Sequence, residues 1–360
     1  MNLGLLAAAN SIHTVKIANG LVSLGHTVTL FSLPNHRDQD KALNPAVKLV
    51  YLKHGGGKGY ILNSGHLKKA VREAGIQLLN AHFASGYGTL AMLSGIRPYV
   101  MSVWGNDVYE FPEKSFVHRW LIERNLTKAS AILSTSAVMA KRASQYAPDR
   151  LITVTPFGID SAAFTPVARA DTDDSRITIG VVKIIAAKYG IRELILAFDA
   201  LVKRMQNKDM RLSVYGDGPQ RQELQRLAEQ LGLAERVTFF GYIPHAVVPD
   251  ALRTMDIFCV PSYKESFGVA AVEAMACGIP CVTSDADGFT EVMADGETGF
   301  IVPKGDVAAI TDKLAVLAGD AEMRQRMGKA ARQRVLDRYD WQDNLRTLAD
   351  ALTACGKRNE

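Results

Sequence analysis

Short apolar runs of strand length alternate with longer amphipathic segments along almost the whole chain, and the alternation is interrupted once. Before the interruption, strands are expected near residues 3–8, 27–32, 47–52, 77–81, 98–103, 130–133 and 151–154. Helices are expected between them over 13–24, 64–74, 86–95, 115–128 and 136–146. Apolar runs that each lead into a helical stretch specify a parallel sheet covered on both faces. Over residues 161–175 (SAAFTPVARADTDDS), Pro, Ala and acidic residues replace the apolar periodicity, which marks an interdomain linker. The pattern restarts with ITIGVV (177–182), RLSVYG (211–216), VTFFG (237–241), IFCVP (257–261) and PCVTS (280–284). Residues 306–354 read as three helices, the last being WQDNLRTLADAL. Two α/β units of similar size, joined once, would place a cleft between the carboxyl ends of two sheets, where such folds bind ligands.

Composition narrows the function classes. No stretch approaches the roughly 18–20 apolar residues that span a bilayer. The opening MNLGLLAAANSIHTVK lacks a basic region ahead of its apolar run, so it reads as a first buried strand and not as a signal peptide. A cytoplasmic protein is the expectation. Cys259, Cys277, Cys281 and Cys355 form no CxxC pair and read as small apolar residues, not as a metal or redox site. Residues 1–170 hold 18 Lys and Arg against 9 Asp and Glu, whereas residues 171–360 hold 24 against 28. A basic first half suggests an anionic partner: nucleic acid, a membrane surface or a phosphate-bearing acceptor. The basic residues are spread and no nucleic-acid recognition motif accompanies them, so nucleic acid is not expected.

The segment most able to carry chemistry is YKESFGVAAVEAMACGIPCV, residues 263–282. Glu265 precedes a Ser266-Phe267-Gly268 turn that opens a helix, and helix N-termini suit a diphosphate through unpaired N–H groups and the macrodipole. Gly268 allows close backbone approach. Glu273 falls two turns into the helix, on a small-residue face built to pack. A carboxylate there needs a partner, and a ribose diol offers two donors. Taken singly, each carboxylate reads better as a surface Glu and the turn as an ordinary capped helix.

The spacing E-x7-E from Glu265 to Glu273, written ESFGVAAVE and followed by AMACGIPCV, resembles the signature of retaining glycosyltransferase family 4, which has the two-domain GT-B fold. Ser11-Ile12-His13-Thr14 with Leu24-Gly25-His26-Thr27-Val28 resembles that family's opening loop, helix and strand entry. Pro156-Phe157-Gly158-Ile159-Asp160, with Phe164 and Pro166, resembles the segment closing its first domain. Tyr215-Gly216-Asp217-Gly218-Pro219 resembles a GDGP turn, and Gly241-Tyr242-Ile243-Pro244 a base-binding turn. Gly288 to Glu291, with Gly296, Gly299 and Val302, resembles the loops that close the second sheet.

The resemblance implies two Rossmann-like α/β domains facing a central cleft. Residues 1–165 would bind the acceptor and 166–340 the nucleotide sugar, with 341–360 a helix packing back toward the first domain. It implies a hexosyl transfer from a nucleotide diphosphate sugar, UDP-linked first and GDP-linked second, to a saccharide or lipid-linked saccharide in cell-envelope polysaccharide synthesis. Glu265 would lie beside the donor sugar hydroxyls, the Phe267, Gly268 and Val269 amides would face those hydroxyls and the phosphates, and Glu273 would hold the ribose. No protein nucleophile is implied: the leaving diphosphate would assist deprotonation of the acceptor, and the protein would act by electrostatic positioning. No cofactor or metal is expected.

This sequence departs from the family pattern where the diphosphate charge is neutralised. The usual Arg is missing, and Gly180-Val181-Val182-Lys183 is followed by Lys188-Tyr189-Gly190. Lys183 is assigned the vacant cationic role and Lys188 the role of the family lysine, against the alternative of two solvated loop lysines. A lysine is a point charge and not a bidentate fork, so the phosphate geometry must differ. On the acceptor side, Ser102 to Tyr109 follows a strand, and Trp104 stands where many relatives carry His. Asp107 could orient the acceptor or the donor sugar, or could cap its loop. His13 and His82, both at strand ends, are further candidates, though a lone His is more often structural.

Residues 114–128 mix basic and large apolar residues on one helix, which fits an anionic lipid surface or an amphipathic core helix equally. Asp285-Ala286-Asp287 spells a D-x-D metal signature of another glycosyltransferase fold, but after a strand of this architecture it reads as turn chemistry. The AANSIHT loop lacks G-x-G-x-x-G, so no nicotinamide or flavin is expected. The alternatives are a nucleotide-sugar epimerase of the same fold and a non-catalytic nucleotide-sugar-binding protein. A phosphorylase would need a pyridoxal lysine context that is not found.

Overall fold

The computed structural model describes residues 1–37, 42–167 and 176–357. Residues 168–175 of the expected linker lie outside them. The chain divides into two compact units, Met1–Pro156 with Gln342–Glu360, and Phe157–Trp341. The division falls ahead of the boundary expected after residue 165, because Ile159 and Phe164 are buried in the second unit's core.

The first unit holds seven parallel strands: β1 (Asn2–Leu6), β2 (Thr27–Ser32), β3 (Lys48–Tyr51), β4 (Leu78–His82), β5 (Tyr99–Val103), β6 (Ala131–Ser134) and β7 (Ile152–Val154). They lie in the order β3-β2-β1-β4-β5-β6-β7. The second unit holds six: β8 (Arg176–Val182), β9 (Asp209–Tyr215), β10 (Val237–Gly241), β11 (Ile257–Val260), β12 (Cys281–Ser284) and β13 (Gly299–Val302). Their order is β10-β9-β8-β11-β12-β13, and every pairing in both sheets is parallel. In each sheet the order of the strands reverses once, between β1 and β4 and between β8 and β11. The crevice outside the carboxyl ends of the strands at such a reversal is the ligand position of doubly wound folds.

Burial explains why these segments hold. β1, β4, β5 and β11 are buried almost throughout, as strands covered on both faces must be. Helix Ile191–Arg204 buries Ile191, Leu194, Ile195, Phe198 and Leu201 at helical spacing, each contributing roughly 1.5–3 kcal/mol by area. Ser115, Ser136, Asp306 and Asp320 accept backbone N–H bonds at the starts of their helices. Several elements lie outside the expected ranges, and two of them have a plain physical reason. Helix Gly56–Leu62 precedes Ser64–Glu73, with buried Asn63 donating to the His54 and Gly59 carbonyls at the joint. β13 is only four residues long, and its Gly299 adopts φ +142° with its Cα hydrogen facing the Cys281 carbonyl, too brief a run to stand out by pattern.

Candidate functional site

In the second unit, the loop after β8 is laid down by backbone contacts that tolerate almost no side chain. The Lys183 N–H donates to the Tyr215 carbonyl (2.9 Å) and the Ile185 N–H to that of Asp217 (3.0 Å). A Cβ on Gly216 (φ +132°) would sit 1.9 Å from the Lys183 oxygen, and one on Gly190 (φ +68°) 2.2 Å from the Pro261 oxygen. The loop is thus wedged between the turns that follow β9 and β11. It carries Lys183 to Glu265: Nζ lies 2.5 Å from Oε2, with the side chains 16% and 12% exposed. The Lys183 and Lys188 ammonium groups lie 4.7 and 5.3 Å from the centroid of one ring, Tyr189. The structure therefore gathers both expected lysines around an aromatic face, with the first expected carboxylate on one of them.

The turn after β11 is equally constrained. The Glu265 carbonyl accepts the Gly288 N–H (3.0 Å), and a Cβ on Gly288 would meet the Phe267 nitrogen at 2.5 Å. The Phe267 ring is buried, edge-on to Phe157 (5.7 Å) and Tyr339 (5.6 Å), and so anchors the turn from below. Ser266 is half-buried, Gly268 takes φ +99°, and Val269 begins the helix Val269–Ala276. Glu273 is buried on that helix among Ala271, Val272 and Ala274, as its small-residue face requires. Its Oε1 lies 2.7 Å from Nε2 of His245.

The turns after β9 and β10 are stitched together. The Gly216 N–H donates to the Gly241 carbonyl (2.8 Å), and the Arg221 guanidinium donates to the Asp217 carboxylate (3.1 Å) and the Phe239 carbonyl (3.4 Å). Gly241 adopts φ +79°; Tyr242 beyond it is exposed, and Ile243 packs against the core. The Tyr215 and Phe240 rings stack at 4.3 Å with an interplanar angle of 6°. Asp285 accepts the Lys304 N–H (3.0 Å) and Asp287 begins the helix Asp287–Val292, so the D-x-D segment serves the turn.

In the first unit, the three acceptor-side candidates meet at the β1–β4 reversal. Trp104, after β5, packs at 4.3 Å against His82 with the rings tilted by 41°, and meets His13 edge-on at 6.1 Å. Phe83 packs against the same indole at 5.2 Å and takes φ +66°, a region costly for a residue with a Cβ. His82 is buried, with Nε2 2.8 Å from the Asn80 amide oxygen and Nδ1 without a partner. Burial lowers its pKa to about 3, so the ring is neutral at ordinary pH. Asp107 is also buried, but it is turned onto backbone. Oδ2 accepts the Ala84 N–H (2.7 Å), and Oδ1 those of Gly105 (2.8 Å) and Trp104 (3.2 Å). Burial raises its pKa against the pull of these amides. Of the two roles open to Asp107, the geometry is that of a loop anchor: it ties the loop after β4 to the loop after β5 and thereby sets Trp104.

Three participants escaped sequence reasoning. His245 could have been suspected as a polar residue one position past the Gly241–Pro244 turn. Tyr189 directly follows Lys188 and carries no signal of its own in the sequence, and neither does Phe83.

Residues 168–334 match the family described as "Glycosyl transferases group 1", and residues 3–136 that described as "Glycosyl transferase 4-like". Over 284 residues the chain is 31% identical to a GDP-mannose-dependent alpha-(1-6)-phosphatidylinositol monomannoside mannosyltransferase of Mycolicibacterium smegmatis, covering 74% of this chain and 72% of that protein. It is 36% identical over 197 residues to a D-inositol 3-phosphate glycosyltransferase of Corynebacterium efficiens, covering 51% of this chain and 46% of that one. Among solved structures, a sucrose-phosphate synthase from Thermosynechococcus elongatus superposes with a TM-score of 0.86 at 20% identity, covering 98% of each chain. Anabaena HepE, solved with UDP and glucose, superposes with a TM-score of 0.81 at 17% identity, covering 98% of this chain and 99% of that one. These likenesses extend the fold assignment to both units.

Proposed function

This chain belongs to glycosyltransferase family 4 and is a sugar transferase of the GT-B fold; on that premise we propose that it moves a hexosyl group, with retention of configuration, from a UDP- or GDP-sugar to a saccharide or lipid-linked saccharide in cell-envelope polysaccharide synthesis. The observation that carries this reading is the charged cluster at the β8–β11 reversal: Lys183 on Glu265, Lys188 beside it, and buried Glu273 on the following helix. In the proposed mechanism the two ammonium groups take up charge as the diphosphate leaves. Amides of the Phe267–Val269 turn hold its oxygens, Glu265 orients the donor sugar and Glu273 the ribose. The leaving diphosphate accepts the acceptor's proton, so no metal or protein nucleophile is invoked. Trp104, with His13 and His82, forms the acceptor-side wall, apolar stacking surface being suited to a sugar ring. The mannosyltransferase relative sets GDP-mannose beside UDP-hexoses as the donor to try. The named relatives are transferases, which favours transfer over epimerisation.

A lipid-linked acceptor is supported by helix Phe116–Lys128. Phe116 is 84% exposed and Val117 and Trp120 about half exposed, with Arg124 over the Trp120 ring and Lys114 and Lys128 on either side. Exposed aromatics framed by cations suit an anionic membrane surface, with the protein held peripherally on its cytoplasmic face. No helix among the described residues is long and apolar enough to cross a membrane. Flotation with anionic and neutral vesicles tests this: binding only to the anionic ones, lost in Phe116→Ser/Trp120→Ser, is expected, and no binding at low salt would remove it. For the transfer itself, UDP-, GDP-, ADP- and dTDP-sugars are screened by thermal shift against wild type, Glu273→Ala and Lys188→Ala. A ligand at 100 times its Kd adds ~2.7 kcal/mol of stability, a shift of degrees. One sugar nucleotide should stabilise wild type and neither variant; no response at millimolar concentration would sink the donor-site reading.

A further inference from the structure

Glu273 poses a physical problem that the transfer reaction leaves open. Its side chain is 7% exposed, on a helix whose neighbouring positions are Ala, Val and Met, and a buried carboxylate is costly without a donor. The nearby arginines are committed elsewhere. Arg253 donates to the Thr165 (3.1 Å) and Ala163 (2.7 Å) carbonyls, and Arg332 to those of Phe164 (2.5 Å), Ala276 (2.8 Å) and Ser161 (2.9 Å). Cys277, one turn on, is held as a thiol by burial, its pKa pushed up to about 12. Among the described residues the one side chain hydrogen-bonded to Glu273 is His245, Nε2 to Oε1 at 2.7 Å. His245 comes from a different element, the turn after β10, and its ring is braced against buried Phe164 at 5.5 Å.

We propose that His245 is the positioning residue for Glu273: it occupies Oε1, fixes the carboxylate's rotamer, and leaves Oε2 to receive a ribose hydroxyl. The proposal rests on the reading of Glu273 as the ribose-holding group and adds the means by which it is held. Because His245 continues the Gly241-Tyr242-Ile243-Pro244 turn, it also latches that turn to the helix bearing Glu273. The part of the site that would meet the base and the part that would meet the ribose are then set together.

The test is a comparison of ribose and deoxyribose ligands, which a merely structural role for His245 would not separate. UDP and GDP are titrated calorimetrically beside their 2′,3′-dideoxy forms into wild type, His245→Phe, His245→Gln, Glu273→Ala and the Glu273→Ala/His245→Phe pair. Phe keeps the ring packing on Phe164 and removes the donor, whereas Gln restores an N–H. Wild type should prefer the ribose form of its nucleotide by about tenfold or more, the scale of a hydrogen bond to a charged group. Glu273→Ala and His245→Phe should each lose that preference, the pair should lose no more than either, and Gln should recover a large part of it. If Glu273→Ala loses the preference while His245→Phe keeps it, His245 merely packs and the proposal is overturned alone. If Glu273→Ala keeps it, the ribose reading of Glu273 falls and takes the proposal with it. Circular dichroism melting of each variant, with His245→Gln as the mildest, separates these outcomes from misfolding.

Discussion

The two units share a topology but present opposite chemistry at the same topological place. At the β8–β11 reversal the second unit gathers charge: Lys183, Lys188, Glu265 and the Glu273–His245 pair, in loops wedged so tightly that Gly190 and Gly216 admit no Cβ. At the β1–β4 reversal the first unit gathers rings, Trp104 with His82, Phe83 and His13, and turns its buried carboxylate, Asp107, onto backbone amides. A doubly wound sheet fixes where a ligand can sit, and the loops decide what it can be. Charge aligned with rigid backbone suits a diphosphate whose negative charge grows during transfer. An aromatic wall suits a neutral ring that must be placed and not polarised.

The largest effect expected from breaking this contrast is at Lys183. Lys183→Ala removes a placed cation and should lower kcat by about 10²–10³, the cost of removing one preorganised electrostatic contact. It also strands Glu265, so adding Glu265→Gln should recover thermal stability without recovering turnover. Steady-state rates and melting curves on the single and double variants check both halves.

His82 is neutral in the fold with a pKa near 3 and takes a proton at about 6.5 when unfolded. Below pH 6.5 the unfolded chain therefore binds a proton that the native one does not. Stability should fall on the order of 1.4 kcal/mol per pH unit as the pH drops from 6.5 toward 3. Asp107, whose folded pKa is raised, works in the opposite sense, gaining stability as it takes its proton before the unfolded chain does. Denaturant unfolding from pH 7 to 4 should thus show a steeper loss in wild type than in His82→Phe, and equal slopes would mean that His82 is not held neutral.

Asp107 tests the difference between anchor and catalyst. Asp107→Asn replaces one acceptor oxygen by an NH₂ facing a backbone N–H, and should cost about 1–3 kcal/mol of stability. Turnover measured well below the melting temperature should fall only modestly, whereas a collapse of kcat with stability intact would return Asp107 to the chemistry. The smallest effect belongs to Trp104→Phe, which should raise the acceptor KM severalfold and leave the nucleotide Kd unchanged.

How much of this could be read from the sequence differs between the two units for the same reason. Glu265, Gly268 and Glu273 stand out in the sequence because they fall in one short segment, where spacing along a helix fixes direction. The two sheets were legible because fully buried strands leave continuous apolar runs. The first unit's ring cluster draws on residues 13, 82, 83 and 104, from three separate segments of the chain, so no local pattern announces it. Asp107 shows the limit most clearly: the same residue in the same loop can serve a substrate or an amide, and only the position of Ala84 decides. His245 escaped because its role is defined by a helix that begins 24 residues further on.

The central claim is that nucleotide recognition resides in the second unit's charged cluster and not in the first unit's aromatic one. Calorimetric titration of UDP and GDP into wild type, Glu273→Ala and Trp104→Ala tests it most directly. The account predicts that one nucleotide binds wild type and Trp104→Ala alike and binds Glu273→Ala at least tenfold more weakly, the scale of a lost charged hydrogen bond of ~1.5–3 kcal/mol. Nucleotide binding that survives Glu273→Ala and disappears with Trp104→Ala would contradict it.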